Sequence, residues 1–498
     1  MSANAGLRSS QAPSLLDRDV AAPQAEVSWA KRRPAKSAAS TERALLWAFI
    51  AGLAWCPFWF GGAVLLAWGI NAVLFPGLVV IYELSLLIRR KPHPVALGQI
   101  KLPAALFTAV VMWILIQNAT WTPGWMHHPI WQMTADALGR PVEGSISVDR
   151  ELTSLALLRL VTAASVLWLA LQFCRDAARA SLLLQSVAAI ICVYAAYGLG
   201  AAWLTPGRVL WFKNPFADWR VTSAFVNPDS FSAYAGIGVV VFFGLILSLY
   251  CDEFAAVGGS VRFRIANFIE VTGHRGVVLF ASALVTLVAL LLTASRGGIA
   301  STALGLFVMG ALTVRLRKQQ FAQSVTLTVV GALLVGAVFL FFGDAVLGKI
   351  AQSGFRDQGR IGLYVITIRS ILAAPVLGYG YGTFADVFPM FRDQSVTTIG
   401  QWTAAHDTYL EALQGLGLIF GPMLVATLAV LVWRCVKGAA TRQMNETLPC
   451  VAAGVAFLLG AHALVDFTLQ LQAIAITFMA LLGAGVAQSE SSRLTLAD

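Results

Sequence analysis

The sequence predicts an all-α polytopic transmembrane helix bundle of about 12 spans, and three observations carry that reading. Hydrophobic residues make up 58% of the 498 and charged residues 12%, about half the roughly 25% usual in soluble domains. Apolar runs long enough to cross a hydrocarbon core of about 30 Å as helices recur along the chain. Polar residues collect in a few long segments on alternate connections. Soluble-enzyme and fibrous classes are excluded.

Residues 1–43 are rich in Ala, Ser and Pro and carry Lys31, Arg32, Arg33, Lys36 and Arg43 ahead of the first apolar run. They read as a disordered cytoplasmic tail. The apolar stretch from Ala44 lies too far in for a cleavable signal peptide and reads as a signal anchor. Nine spans are expected within residues 44–343, near 44–60, 63–88, 104–119, 155–173, 182–204, 231–250, 277–293, 297–314 and 324–343. A long outer loop with helices of its own follows at 344–412. Three spans near 413–433, 449–466 and 470–487 fill 413–487, and 488–498 form a cytoplasmic C-terminal tail. Hairpin turns are expected at Pro57–Gly62, Ala294–Gly298 and Phe467–Leu469.

Cytoplasmic connections retain Lys and Arg, so the charges orient the bundle. With the N-terminus inside, cytoplasmic ends and tails hold 23 of the 35 cations, and both termini are cytoplasmic. The net charge of +10 could mark nucleic acid, an anionic membrane surface or an acidic substrate; the twelve remaining cations cluster on the outer side, and no nucleic-acid partner is expected. The outer loops near 120–154, 205–230 and 344–412 hold most of the polar mass, together with Trp55, Trp59, Trp121, Trp125, Trp131, Trp203, Trp211, Trp219 and Trp402. Those rings form an interfacial belt or stack on sugars. The six cysteines have neither CxxC pairs nor zinc-like spacing, so neither a disulfide framework nor a zinc site is expected.

Four constellations have chemical content. Thr293-Ala294-Ser295-Arg296-Gly297-Gly298 joins two apolar runs, and its glycines let backbone N–H groups and a guanidinium approach one anionic oxygen. The alternative is an arginine snorkelling to headgroups. Arg360 opens a helical stretch flanked by Arg356 and Arg369, where forked contacts with phosphate or a solvated charged face both fit. His406 is expected in the first turn of a helix, beside Asp407 and Tyr409, where the dipole favours neutral imidazole while Asp407 pulls the other way or fixes the tautomer, so a base-competent and a structural histidine both fit. His462 and Asp466 sit four residues apart near the outer end of a span, as a functional pair or as helix glue. Arg220 and the Asn227-Pro228-Asp229-Ser230 segment precede another span, where capping is the simplest role.

Three lookalikes are set aside. Gly378-Tyr379-Gly380-Tyr381-Gly382 resembles a potassium filter but lacks the preceding Thr-Val and reads as a turn. Asp17-Arg18-Asp19 lies in the tail, and His127-His128 lacks a third metal ligand.

In this order, the motifs resemble the O-antigen ligase and O-antigen polymerase (Wzy-type) family of bacterial inner-membrane glycosyltransferases. The matching pieces are Pro57-Phe58-Trp59-Phe60-Gly61-Gly62, Phe225-Val226-Asn227, Ser295-Arg296-Gly297-Gly298, Arg360, Pro375-Val376-Leu377-Gly378-Tyr379-Gly380, Ala405-His406-Asp407-Thr408-Tyr409-Leu410 and His462-Ala463-Leu464-Val465-Asp466-Phe467, spanning residues 44–487. The resemblance implies a GT-C-like, metal-independent enzyme without cofactor. It would act at the periplasmic face of the inner membrane on undecaprenyl-diphosphate-linked oligosaccharide, with a glycan or lipid A core as acceptor. It implies His406 as the catalytic base and Arg296 and Arg360 as diphosphate ligands, with Ser295, Gly297, Arg220, Asn227, Asp407, Tyr409, His462 and Asp466 as supporting candidates. The family often has Asn where this chain has Asp407, which leaves the local hydrogen bonding open. The expected activity is an O-antigen or exopolysaccharide polymerase, with a ligase as the alternative. A transporter or flippase is the alternative of another class.

Overall fold

The computed structural model describes residues 36–214, 219–254, 261–316, 358–396, 402–441 and 446–489. The chain divides into Met1–Arg43 and Ala44–Asp498, and the second unit carries all that follows. The helices are α1 (Lys36–Trp55), α2 (Leu65–Arg89), α3 (Lys101–Asn118), α4 (Ile130–Leu138), α5 (Arg150–Phe173), α6 (Ala177–Leu204), α7 (Pro228–Phe254), α8 (Val261–Leu292) and α9 (Arg296–Leu316). After the undescribed stretch come α10 (Gln358–Ala373), α11 (Phe384–Phe391), α12 (Thr408–Thr441), α13 (Thr447–His462) and α14 (Gln472–Ser489). Strand structure among the described residues is one antiparallel ribbon of two-residue strands, Arg208–Val209 with Phe212–Lys213.

Nine helices among the described residues are long and apolar enough to cross a membrane. The protein is therefore an all-α, multi-pass membrane protein. α13 is apolar but shorter, at 16 residues. The span expected at 324–343 and Arg356 lie outside the described residues.

The core follows from composition. α7 and α14 are apolar on every side, so they are the helices that the bundle buries. α14 packs along α5 and α13, and α7 along α8 and α9. Where α9 crosses α13, Gly305 and Gly454 face each other's backbone, and a Cβ on either would come within 2.8 Å of the other's carbonyl oxygen. Small residues supply this close approach in membranes, where lipid is as apolar as the helix surface.

The long polar segment is anchored through the Gly-Tyr-Gly-Tyr-Gly turn. Tyr379 and Gly380 donate their backbone N–H groups to Gln414 and Gly415 carbonyls at 3.1 Å, and Leu418 N–H reaches Pro375 O at 2.7 Å. Gln117 Nε2 closes the same joint on Leu377 O and Gly415 O. α12 breaks here: Gly417 adopts φ 79° and ψ 173°, a conformation open to glycine, and a Cβ there would strike Val376 O. The turn reading of this lookalike is the one the structure adopts. His127 and His128 are stitches of a polar connection, bonded to Thr122 Oγ1 and to Ile130 N–H.

Candidate active site

The site is built on the end of α13. A helix leaves its last carbonyls without intrahelical partners, and here residues from α10 and from the start of α12 supply the donors. Tyr409 Oη bonds Gly460 O at 2.9 Å, Thr408 N–H bonds Ala463 O at 2.8 Å, and Arg360 Nη1 bonds Val465 O at 2.8 Å. Thr408 Oγ1 reaches Asp466 O at 3.2 Å. The turn from His462 to Phe467 is thus a hub that holds the His406 and Arg360 segments together.

His406 lies at this hub with Nδ1 3.1 Å from Asp466 Oδ1, its side chain 19% exposed and that of Asp466 1%. An ionised carboxylate only accepts, and a neutral imidazole that donates to it through Nδ1 leaves the Nε2 lone pair free. Phe467 meets the imidazole edge-on at 4.9 Å and Trp402 at 5.9 Å. The His406 backbone is left-handed, with φ 52°, which is costly for a residue bearing Cβ and persists where its surroundings over-determine it. Tyr364 Oη on His406 O at 3.1 Å and Glu411 Oε2 on Ala405 N–H at 3.1 Å do so here.

This placement corrects the expectation that His406 lies in the first turn of a helix. α12 begins at Thr408, and Asp407 is its N-cap: Oδ1 accepts from the N–H groups of Tyr409 and Leu410, both at 2.9 Å. A short carboxylate satisfies two orphan donors better than an imidazole does, so His406 falls just before the helix. Burial pushes the Asp407 carboxyl above the usual range, against the lowering effect of those two bonds. The carboxylate that orients His406 is Asp466.

Arg360 also faces Asp229, Nη2 to Oδ2 3.4 Å. Asp229 sits in the first turn of α7, which Asn227 caps by accepting the Asp229 N–H at 2.8 Å. Ser295 caps α9 through its Oγ and the Gly298 N–H, 3.2 Å. Gly297 lies against His462 and Val465, and a Cβ there would sit 3.3 Å from the His462 ring. His462 is buried and interacts electrostatically with Asp466, Asp229 and Arg360. Arg296, the first residue of α9 and half-buried, directly precedes Gly297 in the chain. Arg220 precedes Val221, whose N–H bonds Leu292 O at 3.1 Å at the end of α8. Sequence reasoning took Asp229 for part of a cap and missed Tyr364, Glu411 and Phe467. Trp402 it left between a belt and a sugar-stacking role, and the structure sets the indole edge-on to His406.

A histidine oriented by a buried carboxylate, beside a guanidinium at one end of an apolar bundle, defines a multi-pass membrane protein with acid–base and anion-binding capacity in one place. Residues 281–426 match the O-antigen ligase family model, a stretch that includes Ser295, Arg296, Gly297, Arg360 and His406 and ends before Asp466. No curated protein matches the chain. The family match over this stretch supports the resemblance drawn from the motifs, and the nine apolar helices among the described residues agree with a multi-pass membrane protein.

Proposed function

We propose that the protein is a periplasmic-side, metal-independent inverting glycosyltransferase that moves a glycan from an undecaprenyl-diphosphate donor to an acceptor hydroxyl. The observation that supports this reading is the convergence of Arg360, His406 and the start of α9 on the turn at 462–467. In the reaction the acceptor oxygen attacks the anomeric carbon as the bond from that carbon to the diphosphate oxygen breaks. His406 Nε2 takes the acceptor proton while Asp466 holds Nδ1. The leaving undecaprenyl diphosphate gathers negative charge, which Arg296 and Arg360 meet with fixed donors. A single displacement inverts the anomeric configuration.

Of the possible acceptors we favour a second lipid-linked glycan, making the enzyme an O-antigen or exopolysaccharide polymerase, because the long outer loops leave room for two glycan chains. Transfer to lipid A core, a ligase reaction, is the second reading. The test is incubation of purified protein with undecaprenyl-diphosphate glycan, with and without lipid A core. Lengthened lipid-linked product identifies a polymerase and glycan on the core a ligase, whereas movement across the bilayer without bond formation refutes the enzyme reading in favour of a transporter. His406→Ala with normal membrane insertion is expected to abolish transfer, and a wild-type rate would remove His406 from the mechanism.

A further inference from the structure

A second feature lies away from the arginines of the hub. Between α3, α5, α12 and α14 runs a cavity of about 290 Å³ with mostly apolar walls. Along α5 it extends from Ala156 to Trp168, about 18 Å at 1.5 Å per residue. Its direction is therefore that of a lipid chain in the bilayer. Its polar lining residues are Arg159, Tyr381, Thr408, Gln470 and Gln472, with Thr427 further along α12.

Two of these have unused donors. Among the described residues, Arg159 Nε and Gln472 Nε2 are buried with no hydrogen-bond acceptor. Gln472 is 3% exposed, and its Oε1 already accepts from Asn71 at 2.7 Å. Arg159 lies over the Trp68 ring at 4.3 Å and within electrostatic reach of Glu411 and Tyr381. A structural ion pair with Glu411 alone would account for the charge of Arg159 but not for an idle Nε–H, nor for the second idle donor on the same wall. Buried donors without acceptors are costly, and an ionisable group inside a membrane span is a marker of function. What both donors lack is an acceptor, and what the rest of the cavity suits is hydrocarbon.

We infer that this cavity is a binding site for a single-chain lipid phosphate, its chain along α5 and its phosphate oxygens on Arg159 and Gln472. The site lies on the α3, α5 and α14 side of the hub, whereas Arg296 and Arg360 come from α9 and α10. Neither Arg296 nor Arg360 is among the residues that line it. Thr408 belongs both to the cavity wall and to the hub, which places the lipid headgroup beside the reaction centre. In the transfer reaction, and resting on that reading, this lipid is the carrier of the acceptor.

The test uses the full chain in nanodiscs and counts bound copies of undecaprenyl phosphate and undecaprenol by native mass spectrometry. The Arg296→Met/Arg360→Met double variant isolates the cavity from the other site. In that background one copy of the phosphate is expected to remain bound, at least tenfold tighter than the alcohol. Arg159→Met should erase the preference and Arg159→Lys restore part of it. Ala163→Phe, which fills the cavity, should weaken both lipids about tenfold or more. Equal binding of phosphate and alcohol in the double variant, or no effect of Ala163→Phe, overturns the inference. Binding is read without turnover: a chain that holds this lipid but transfers no glycan sinks the enzyme reading and spares the cavity site, and the opposite result does the reverse.

Discussion

The contact between His406 and Asp466 is the most direct place to test the catalytic reading. Asp466→Ala removes the carboxylate partner of His406 Nδ1, a charge-assisted contact of 3.1 Å from a side chain that is 1% exposed. Hydrogen bonds to charged groups contribute about 1.5–3 kcal/mol, and at 3.1 Å the value is nearer about 2 kcal/mol, or roughly 30-fold in rate at 1.36 kcal/mol per tenfold. Asp466→Asn keeps an acceptor but loses the charge, which about halves the interaction and predicts roughly a fivefold loss. Stability should move differently. Asp466 Oδ2 is buried without a partner among the described residues, so neutralising this side chain relieves a desolvation cost, and Asp466→Asn is expected to melt no lower than wild type. The assay is glycan transfer at saturating donor and acceptor, paired with thermal unfolding in the same detergent. An Asp466→Ala rate within twofold of wild type, or a loss that merely follows the folded fraction, refutes the orienting role.

Arg360→Lys keeps a charge but not the fork that spans Val465 O and Asp229, and a tenfold or greater rise in donor KM is expected, measured by initial rates. Asp229→Asn frees Arg360 from a competing carboxylate in a partly exposed pair, worth about 1 kcal/mol after solvent screening. Its binding of inorganic diphosphate, followed by calorimetry, should tighten about fivefold. Gly417→Ala forces a Cβ into the Val376 carbonyl at φ 79° and should destabilise the fold by roughly 2 kcal/mol or more, seen as a lowered melting temperature. Burial raises the Asp407 carboxyl in the folded state, so the native protein binds that proton more tightly than the unfolded chain. Its contribution is fully present below the unfolded carboxylate pKa and is lost as pH rises through the folded value. Asp407→Asn keeps the cap and should flatten that part of a melting-temperature curve against pH.

The all-α membrane architecture was legible because hydrocarbon demands it: runs of apolar residues leave the helix as the available way to satisfy backbone groups. Local signals were also readable. Ser295, Asn227 and Asp407 are polar residues at helix starts, although for Asp407 the neighbouring histidine drew the attention and the cap was missed. The pairing of His406 with Asp466 spans 60 residues and Arg360 with Asp229 spans 131. No spacing rule connects such positions. His462 and Asp466 were readable as neighbours on one helix face, but Asp466 in fact follows the end of α13, on a turn that lets it face a different histidine. Arg159 went unnoticed because a single cation in an apolar run looks like an ordinary snorkelling residue. Only packing shows its Nε turned into a buried wall.

The hub explains why these motifs belong together. The carbonyl end of α13 carries the negative end of a helix dipole, and the structure sets a guanidinium on Val465 O and a hydroxyl on Gly460 O there. These contacts fix Arg360 and the start of α12 to one rigid element before any ligand arrives. His406 is then held from both sides, by Asp466 through its ring and by Tyr364 through its carbonyl. An imidazole and a guanidinium pinned to the same turn are held at a fixed separation. On the proposed transfer reaction, preorganisation of that kind would lower the barrier, because the geometry needed in the transition state is already set during folding.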